Sequence, residues 1–195
     1  MSANSDRFYV ITGGPGSGKT SLIAALRSRG YNSTAEAGRT IIQDQVAIDG
    51  RALPWRDPLH FAELMLSMDM QSYRRAEQSV GPVFFDRGIP DVLGYLRLTH
   101  ITAPEHMHNA AKIFPYNHAV FIAPPWREIF QQDQERKQDF DEAIRTYDAL
   151  VETYESCNYE LVEIPRASID ERVRFVLAKV GIDTDSLAQR ESLPG

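Results

Sequence analysis

Cysteine is nearly absent: Cys157 is the only one among 195 residues. No disulfide can form within the chain, and a cysteine-rich zinc site is excluded. Long apolar runs are missing too, since none approaches the roughly 20 residues that a membrane helix needs. Met1 to Asp6 has neither the basic stretch nor the apolar stretch of an export signal. These absences predict a soluble, cytoplasmic protein without a membrane partner. Positive charge is not in surplus. Lys and Arg number 21 against 27 Asp and Glu, a net charge of -6, so no nucleic-acid partner is expected. Five histidines occur, but no His-Glu-x-x-His pattern does, and His106 and His108 read as surface residues. A Gly-x-Ser-x-Gly elbow is lacking. So is the Asn-Lys-x-Asp motif that specifies guanine, which disfavours a Ras-like GTPase.

What is present suits one α/β domain over residues 1–195. Apolar residues make up 43% and charged residues 25% of the chain, the balance of a globular domain. Five short runs read as strands: Phe8–Thr12, the weaker Tyr31–Ala35, Val83–Phe85, Ala119–Ile122 and the alternating Tyr159–Ile164. The short, continuously apolar ones among them suit a parallel sheet covered on both faces. Between them, apolar residues recur at helical spacing. Phe61, Leu64, Met65 and Met68 form one stripe, and Ile89, Val92, Leu93 and Leu96 form another. Phe140, Ile144, Tyr147, Val151 and Tyr154 form a third, with Ile169, Val173, Val176, Leu177 and Val180 near the end. Strand–helix alternation predicts right-handed crossovers and a doubly wound, five-stranded parallel sheet. A polar stretch within 124–139 reads as a lid-like insert, and 183–195 as a flexible tail.

Gly13-Gly14-Pro15-Gly16-Ser17-Gly18-Lys19-Thr20 fits Gly-x-x-x-x-Gly-Lys-Ser/Thr at every fixed position. It lies between an apolar strand and an amphipathic helix, the setting of a phosphate-binding P-loop (Walker A). Glycines let backbone N–H groups converge on phosphate oxygens. The helix amino terminus adds a positive dipole end. Lys19 is expected to bridge the β- and γ-phosphates of ATP, and the Thr20 hydroxyl to ligate Mg²⁺. Ser21, next in the chain, completes the expected nucleotide-binding set.

Val83-Phe84-Phe85-Asp86-Arg87 has the form of a Walker B strand, with Asp86 as a second residue near Mg²⁺. Arg87 stands where motor-type ATPases commonly place a glutamate. A fixed cation cannot activate water as a base, so the pair points to transfer onto a bound acceptor. Glu36 and Arg39 follow the second strand and should face the same crevice. Glu36 reads either as a general base or metal-positioning group, or as a carboxylate stabilising the start of a helix over Gly38–Ile48. Arg39 reads as an acceptor-anion ligand or an exposed helix arginine. Arg127 and Arg136, in the polar insert, are candidates to close over the transferring phosphoryl group. Arg166 follows the last strand, where its guanidinium could stack on the base, beside a helix capped by Ser168 and Glu171. Trp55 reads as a packed loop residue, or else as a cap on the acceptor pocket.

The P-loop, the Phe84-Phe85-Asp86-Arg87 strand end and the arginine-bearing insert together resemble the nucleoside and nucleoside-monophosphate kinase superfamily. Within it they resemble small bacterial proteins of an AAA-type ATPase domain family that are kinase-like, not ring motors. The resemblance spans roughly residues 7–180. It implies strand order 2-3-1-4-5 and Mg-ATP-dependent phosphoryl transfer to a small acceptor: a nucleoside, a nucleotide or another metabolite. Asp86 corresponds to the acidic strand end and Arg87 to the acceptor-contacting arginine. Glu36 corresponds to the base of deoxynucleoside kinases, although Ala37 stands where those enzymes usually have proline. Arg127 and Arg136 correspond to lid arginines. The alternative is an ATPase that uses its nucleotide state to engage a protein partner. Neither reading specifies an oligomeric state.

Overall fold

The computed structural model describes residues 5–130 and 139–182. Five strands form one parallel sheet: β1 (Phe8–Gly13), β2 (Asn32–Ser33), β3 (Val83–Asp86), β4 (Ala119–Ala123) and β5 (Glu160–Glu163). Their order is β2-β3-β1-β4-β5, the doubly wound arrangement expected. Register aligns Phe8 with Val83 and Ile11 with Asp86, and Gly13 with Ala123. The ends of β1, β3 and β4 therefore meet at one carboxyl edge.

Seven helices flank the sheet among the described residues: α1 (Lys19–Ser28), α2 (Ala37–Ala47), α3 (Pro58–Ala76), α4 (Ile89–Leu98), α5 (Glu105–Ile113), α6 (Phe140–Ser156) and α7 (Ile169–Lys179). Strand side chains alternate between faces, and both faces are buried. Phe8, Val10, Phe85 and Ile122 pack with Leu66, Tyr73, Val92, Leu150 and Tyr154 of α3, α4 and α6. Ile11, Phe84 and Phe121 pack on the other face with Leu22, Leu26, Val173 and Leu177 of α1 and α7. Burial of each such large side chain contributes about 1.5–3 kcal/mol. A smaller cluster, with Ile41, Ile42, Leu53 and Phe61, ties α2 to α3.

Local chemistry sets the helix starts. Asp57 caps α3 by accepting from His60 N at 3.1 Å, with Pro58 in the first turn. Asp139 caps α6 by accepting from Glu142 N at 2.7 Å. Ser168 and Glu171 form the expected capping box on α7.

Some elements differ from expectation. The second strand is only Asn32–Ser33, yet Thr34 N still donates to Phe84 O at 3.0 Å. This edge strand pairs on one side only, so its regular ladder is short. The helix foreseen at Gly38–Ile48 spans Ala37–Ala47. Helix α5 occupies a stretch read only as polar surface, and its His106 contacts Glu63 at 3.0 Å. Residues 131–138 of the foreseen lid, including Arg136, lie outside the described residues, as does the 183–195 tail. Among the described residues no helix is long and apolar enough to cross a membrane.

Candidate nucleotide and acceptor site

The phosphate loop runs from the end of β1 into α1. Gly16 and Gly18 have φ of +69° and +78°, a region that favours glycine. A Cβ on Gly13 would strike the Ala123 carbonyl, and one on Gly14 would lie 2.5 Å from the Ala143 carbonyl. Helix α1 has no side-chain cap and no acid in its first turn, so its positive end stays available to an anion. Lys19 is buried, and its Nζ donates to Gly14 O at 2.6 Å and to Ser17 Oγ at 3.2 Å. Ser17 Oγ also donates to Gly14 O, at 2.8 Å. Thr20 and Ser21 are exposed in the first turn of the helix.

Arg172 of α7 supports this loop from behind. It is 1% exposed. Its Nη2 donates to Ser17 O at 3.1 Å and its Nη1 to Gly18 O at 3.4 Å. The guanidinium carbon lies 6.0 Å from the Trp126 ring centre.

Next to the loop, Asp86 is buried at the end of β3, and its Oδ1 has no hydrogen-bond partner among the described residues. Burial pushes its carboxyl up to about 6, with Glu36 adding to the rise while Lys19 and Arg87 oppose it. An orphaned, buried carboxylate oxygen near a phosphate loop fits a cation that the nucleotide would bring. Among the described residues no three His, Cys, Asp or Glu side chains are grouped to hold a metal by themselves. Asp86 and Thr20 are the residues here that could share one with phosphate oxygens.

Arg87 follows with φ +71°, a left-handed conformation uncommon for a residue with a side chain. Its N–H donates to Ile11 O at 3.1 Å. Its Nε donates to Glu36 Oε1 at 3.1 Å and its Nη1 to Asp91 Oδ1 at 2.9 Å. Burial opposes this charge, but Glu36, Asp91 and Asp86 outweigh it, so the guanidinium binds its proton more tightly than usual. Asp91 also accepts from Thr12 Oγ1 at 2.6 Å, Gly88 N at 2.9 Å and Tyr154 OH at 2.6 Å. Behind this network Asp69 of α3 is buried. Burial first, then the Asp91 carboxylate, pushes its carboxyl well above the ordinary range.

A cavity of about 440 Å³ opens beside these groups and includes Pro15 of the phosphate loop in its wall. Glu36, Arg87 and Asp91 line it, as do Glu142 and Arg145 of α6 and the aromatic residues Trp55, Phe61 and Tyr95.

The fold thus brings Lys19, Glu36, Asp86 and Arg87 together. Arg39 is half-buried in the first turn of α2, outside the cavity lining. Arg127 is exposed, its guanidinium carbon 4.3 Å from the Phe140 ring centre. Arg166 is exposed and donates from Nε to Pro125 O at 3.1 Å. Trp55 is not the packed residue expected: it is 60% exposed at the cavity wall. Sequence reasoning passed over Thr12, Asp69, Asp91, Tyr154 and Arg172. For Asp91 a signal existed, an acid in the first turn of α4, but helix-start acids are too common to mark a site.

Residues 8–172 match the family model described as an AAA domain. The chain belongs to that family. A search of curated proteins finds no match. Solved structures similar to this chain are P-loop nucleotide kinases. Deoxyadenosine kinase from M. mycoides, with dCMP and dCDP bound, superposes with a TM-score of 0.63 at 12% identity, covering 89% of this chain and 98% of that one. Thymidylate kinase from Ehrlichia chaffeensis gives 0.61 at 15% identity, over 89% and 97%. NadR protein in complex with NR gives 0.69 at 16% identity, over 91% of this chain but 52% of that one, so this chain spans about half of NadR. At these identities the likeness establishes a P-loop kinase-like fold.

Proposed function

We propose that this chain transfers the terminal phosphoryl group of Mg-ATP to a hydroxyl group of a small acceptor. The observation that carries this reading is the common wall shared by the phosphate loop and the 440 Å³ cavity, with Glu36 and Arg87 in that wall. A switch that only hydrolyses its nucleotide has no use for an acceptor cavity beside the phosphate loop.

In this reading the glycine-rich loop, the α1 dipole and Lys19 hold the phosphates. Lys19 must turn from Gly14 O and Ser17 Oγ toward the phosphate oxygens. Thr20 and Asp86 would hold Mg²⁺, which when bound offsets negative charge on the β- and γ-phosphates. Glu36 accepts the acceptor's hydroxyl proton. The acceptor oxygen forms a bond to the γ-phosphorus, the bond from that phosphorus to the β,γ-bridging oxygen breaks, and ADP leaves. Arg87 orients Glu36 through the 3.1 Å contact. Arg39, Arg127 and Arg136 are proposed to act on the acceptor side and the lid, and Arg166 near the base.

The test is ATP consumption with Mg²⁺ against pooled nucleosides, nucleoside monophosphates and small alcohols, with Lys19→Ala beside it. A phosphorylated product that disappears with Lys19→Ala supports transfer. Slow hydrolysis indifferent to every acceptor overturns it.

A further inference from the structure

A second cavity, of about 620 Å³, lies at the opposite edge of the sheet. Asp6, His118 and Tyr159 line it, and these residues stand just before β1, β4 and β5. The phosphate loop follows the other end of β1, and ligands of a parallel sheet gather at that carboxyl edge. The second cavity is therefore outside the chemistry described above. Helix α4 separates the two: its Asp91 and Tyr95 line the first cavity, its Leu93 and Arg97 the second.

Cations outnumber acids in this wall, although the chain as a whole has a net charge of -6. Arg97, Lys112, His108 and His118 line it against one carboxylate, Asp6, among the described residues. All five are exposed. Lys112, His108 and His118 have neither a hydrogen bond nor an ion pair among the described residues. Arg97 uses a single nitrogen, Nη1, on Glu152 Oε2 at 2.8 Å. The histidine rings add N–H donors. Glu152 is negative, as are the carboxyl ends of α5 and α6, which reach this wall through Lys112 and Ser156. The positive surplus is therefore small, and it matches one negative charge better than two.

Behind the charges the surface is apolar. Leu93 and Tyr116 are buried, with Ile101, Pro115, Tyr159 and Cys157 beside them in the lining. The Tyr116 hydroxyl already accepts from Ile89 N at 3.3 Å, and the Tyr159 hydroxyl from Tyr116 N at 3.2 Å. Both phenol oxygens are thus engaged from within the protein. A space of this size, with an apolar floor and a few polar groups at its rim, suits a flat organic ligand.

We propose that this cavity binds a monoanionic aromatic acid, a planar ring carrying one carboxylate, at a site separate from those of nucleotide and acceptor. The ring lies on Leu93, Tyr116 and Tyr159, and the carboxylate meets Lys112 and the unused nitrogens of Arg97. The proposal does not depend on the phosphotransferase reading.

Cys157 supplies the reporter. It is the only thiol of the chain and is half-buried in the cavity lining. Burial pushes this thiol up, while the Ser156 hydroxyl and the Arg97 charge oppose the rise, so each variant is compared with its own rate without ligand. The experiment follows alkylation of Cys157 by iodoacetamide in the full chain, read by mass spectrometry. The probes are 2-naphthoate, the neutral 2-naphthamide and the dianionic 2-naphthyl phosphate. At about ten times its dissociation constant, 2-naphthoate should slow alkylation about 10-fold. The amide and the phosphate should each need about 10-fold more to match it. Lys112→Met and Arg97→Met, both at exposed positions, should each raise the half-protecting concentration of 2-naphthoate about 10-fold, with Tm near the parent's. Lys19→Ala, or saturating Mg-ATP, should leave that concentration unchanged. Absence of protection, equal protection by the amide, or preference for the phosphate overturns the proposal. So does protection that survives both substitutions or disappears with Mg-ATP.

Discussion

Arg87 and Asp91 meet at 2.9 Å in a contact that joins the end of β3 to the first turn of α4. Arg87 holds φ +71° to make it, and Asp91 is in turn fixed by Thr12, Gly88 and Tyr154. Strained backbone persists where its surroundings over-determine it, and here they also orient Glu36.

Breaking this network should cost stability as well as activity. Asp91→Ala leaves a buried guanidinium half-paired and should destabilise the fold by about 3–5 kcal/mol. Tyr154→Phe removes one hydrogen bond to a carboxylate and should cost about 1.5–3 kcal/mol. Urea denaturation checks both. A Tyr154→Phe variant as stable as the parent would mean that Thr12 and Gly88 hold Asp91 without it.

Glu36 and Lys19 should separate chemistry from binding. Glu36→Gln should lower kcat about 100-fold or more, with nucleotide affinity nearly unchanged. Lys19→Ala should weaken nucleotide binding itself. Calorimetry with a non-hydrolysable ATP analogue, set beside steady-state rates, distinguishes them. Equal losses of binding in both variants would place Glu36 in the nucleotide site instead.

Asp69 sets a pH dependence whose sign follows from its direction of shift. Its carboxyl is pushed well above the ordinary aspartate range, first by burial and then by Asp91. A raised folded value means that the native state holds the proton longer than the unfolded chain does. The resulting contribution to stability is complete below the ordinary aspartate value and is lost as pH rises toward the folded one. Asp69→Asn removes that loss, so its Tm should gain on the parent's between pH 4 and pH 8. Parallel Tm curves across this range would show that Asp69 does not titrate as its burial requires.

Arg172 holds the backbone of the phosphate loop through Ser17 O and Gly18 O. Arg172→Met should weaken nucleotide binding about 10-fold by freeing the Ser17 and Gly18 carbonyls, leaving the acceptor KM unchanged. Arg172→Lys should not restore it, since a single ammonium cannot reproduce a planar fork that reaches two carbonyls. Nucleotide titrations of both variants decide this, and full rescue by lysine would reduce the role of Arg172 to charge alone.

Much of the site was legible before the fold was known. Gly13 to Thr20 is contiguous, and its glycine spacing states its own conformation. Asp86 and Arg87 end an apolar run, and Glu36 follows the second expected strand, so the rule that ligands meet strand carboxyl ends placed them together. Helix α5 was not legible from apolar spacing: its buried residues are only Met107 and Ala110, too few to make a stripe. Trp55, in its proline-flanked loop, left two readings open, and only the tertiary structure shows its indole 60% exposed at the cavity wall.

The sequence by itself determined the phosphate loop, the order of strands and helices, and the acid and arginine that end β3. Each of these follows from neighbours along the chain: periodicity, glycine freedom and capping. Tertiary structure alone decided the Asp91 network, the enclosure of Asp69 and the support that Arg172 lends to the loop. Thr12 and Asp91 are 79 positions apart, Tyr154 and Asp91 are 63, and Arg172 and Ser17 are 155. No local pattern encodes such pairs. They form when the sheet closes and brings polar groups out of water, where each must find a partner or bear the cost of desolvation.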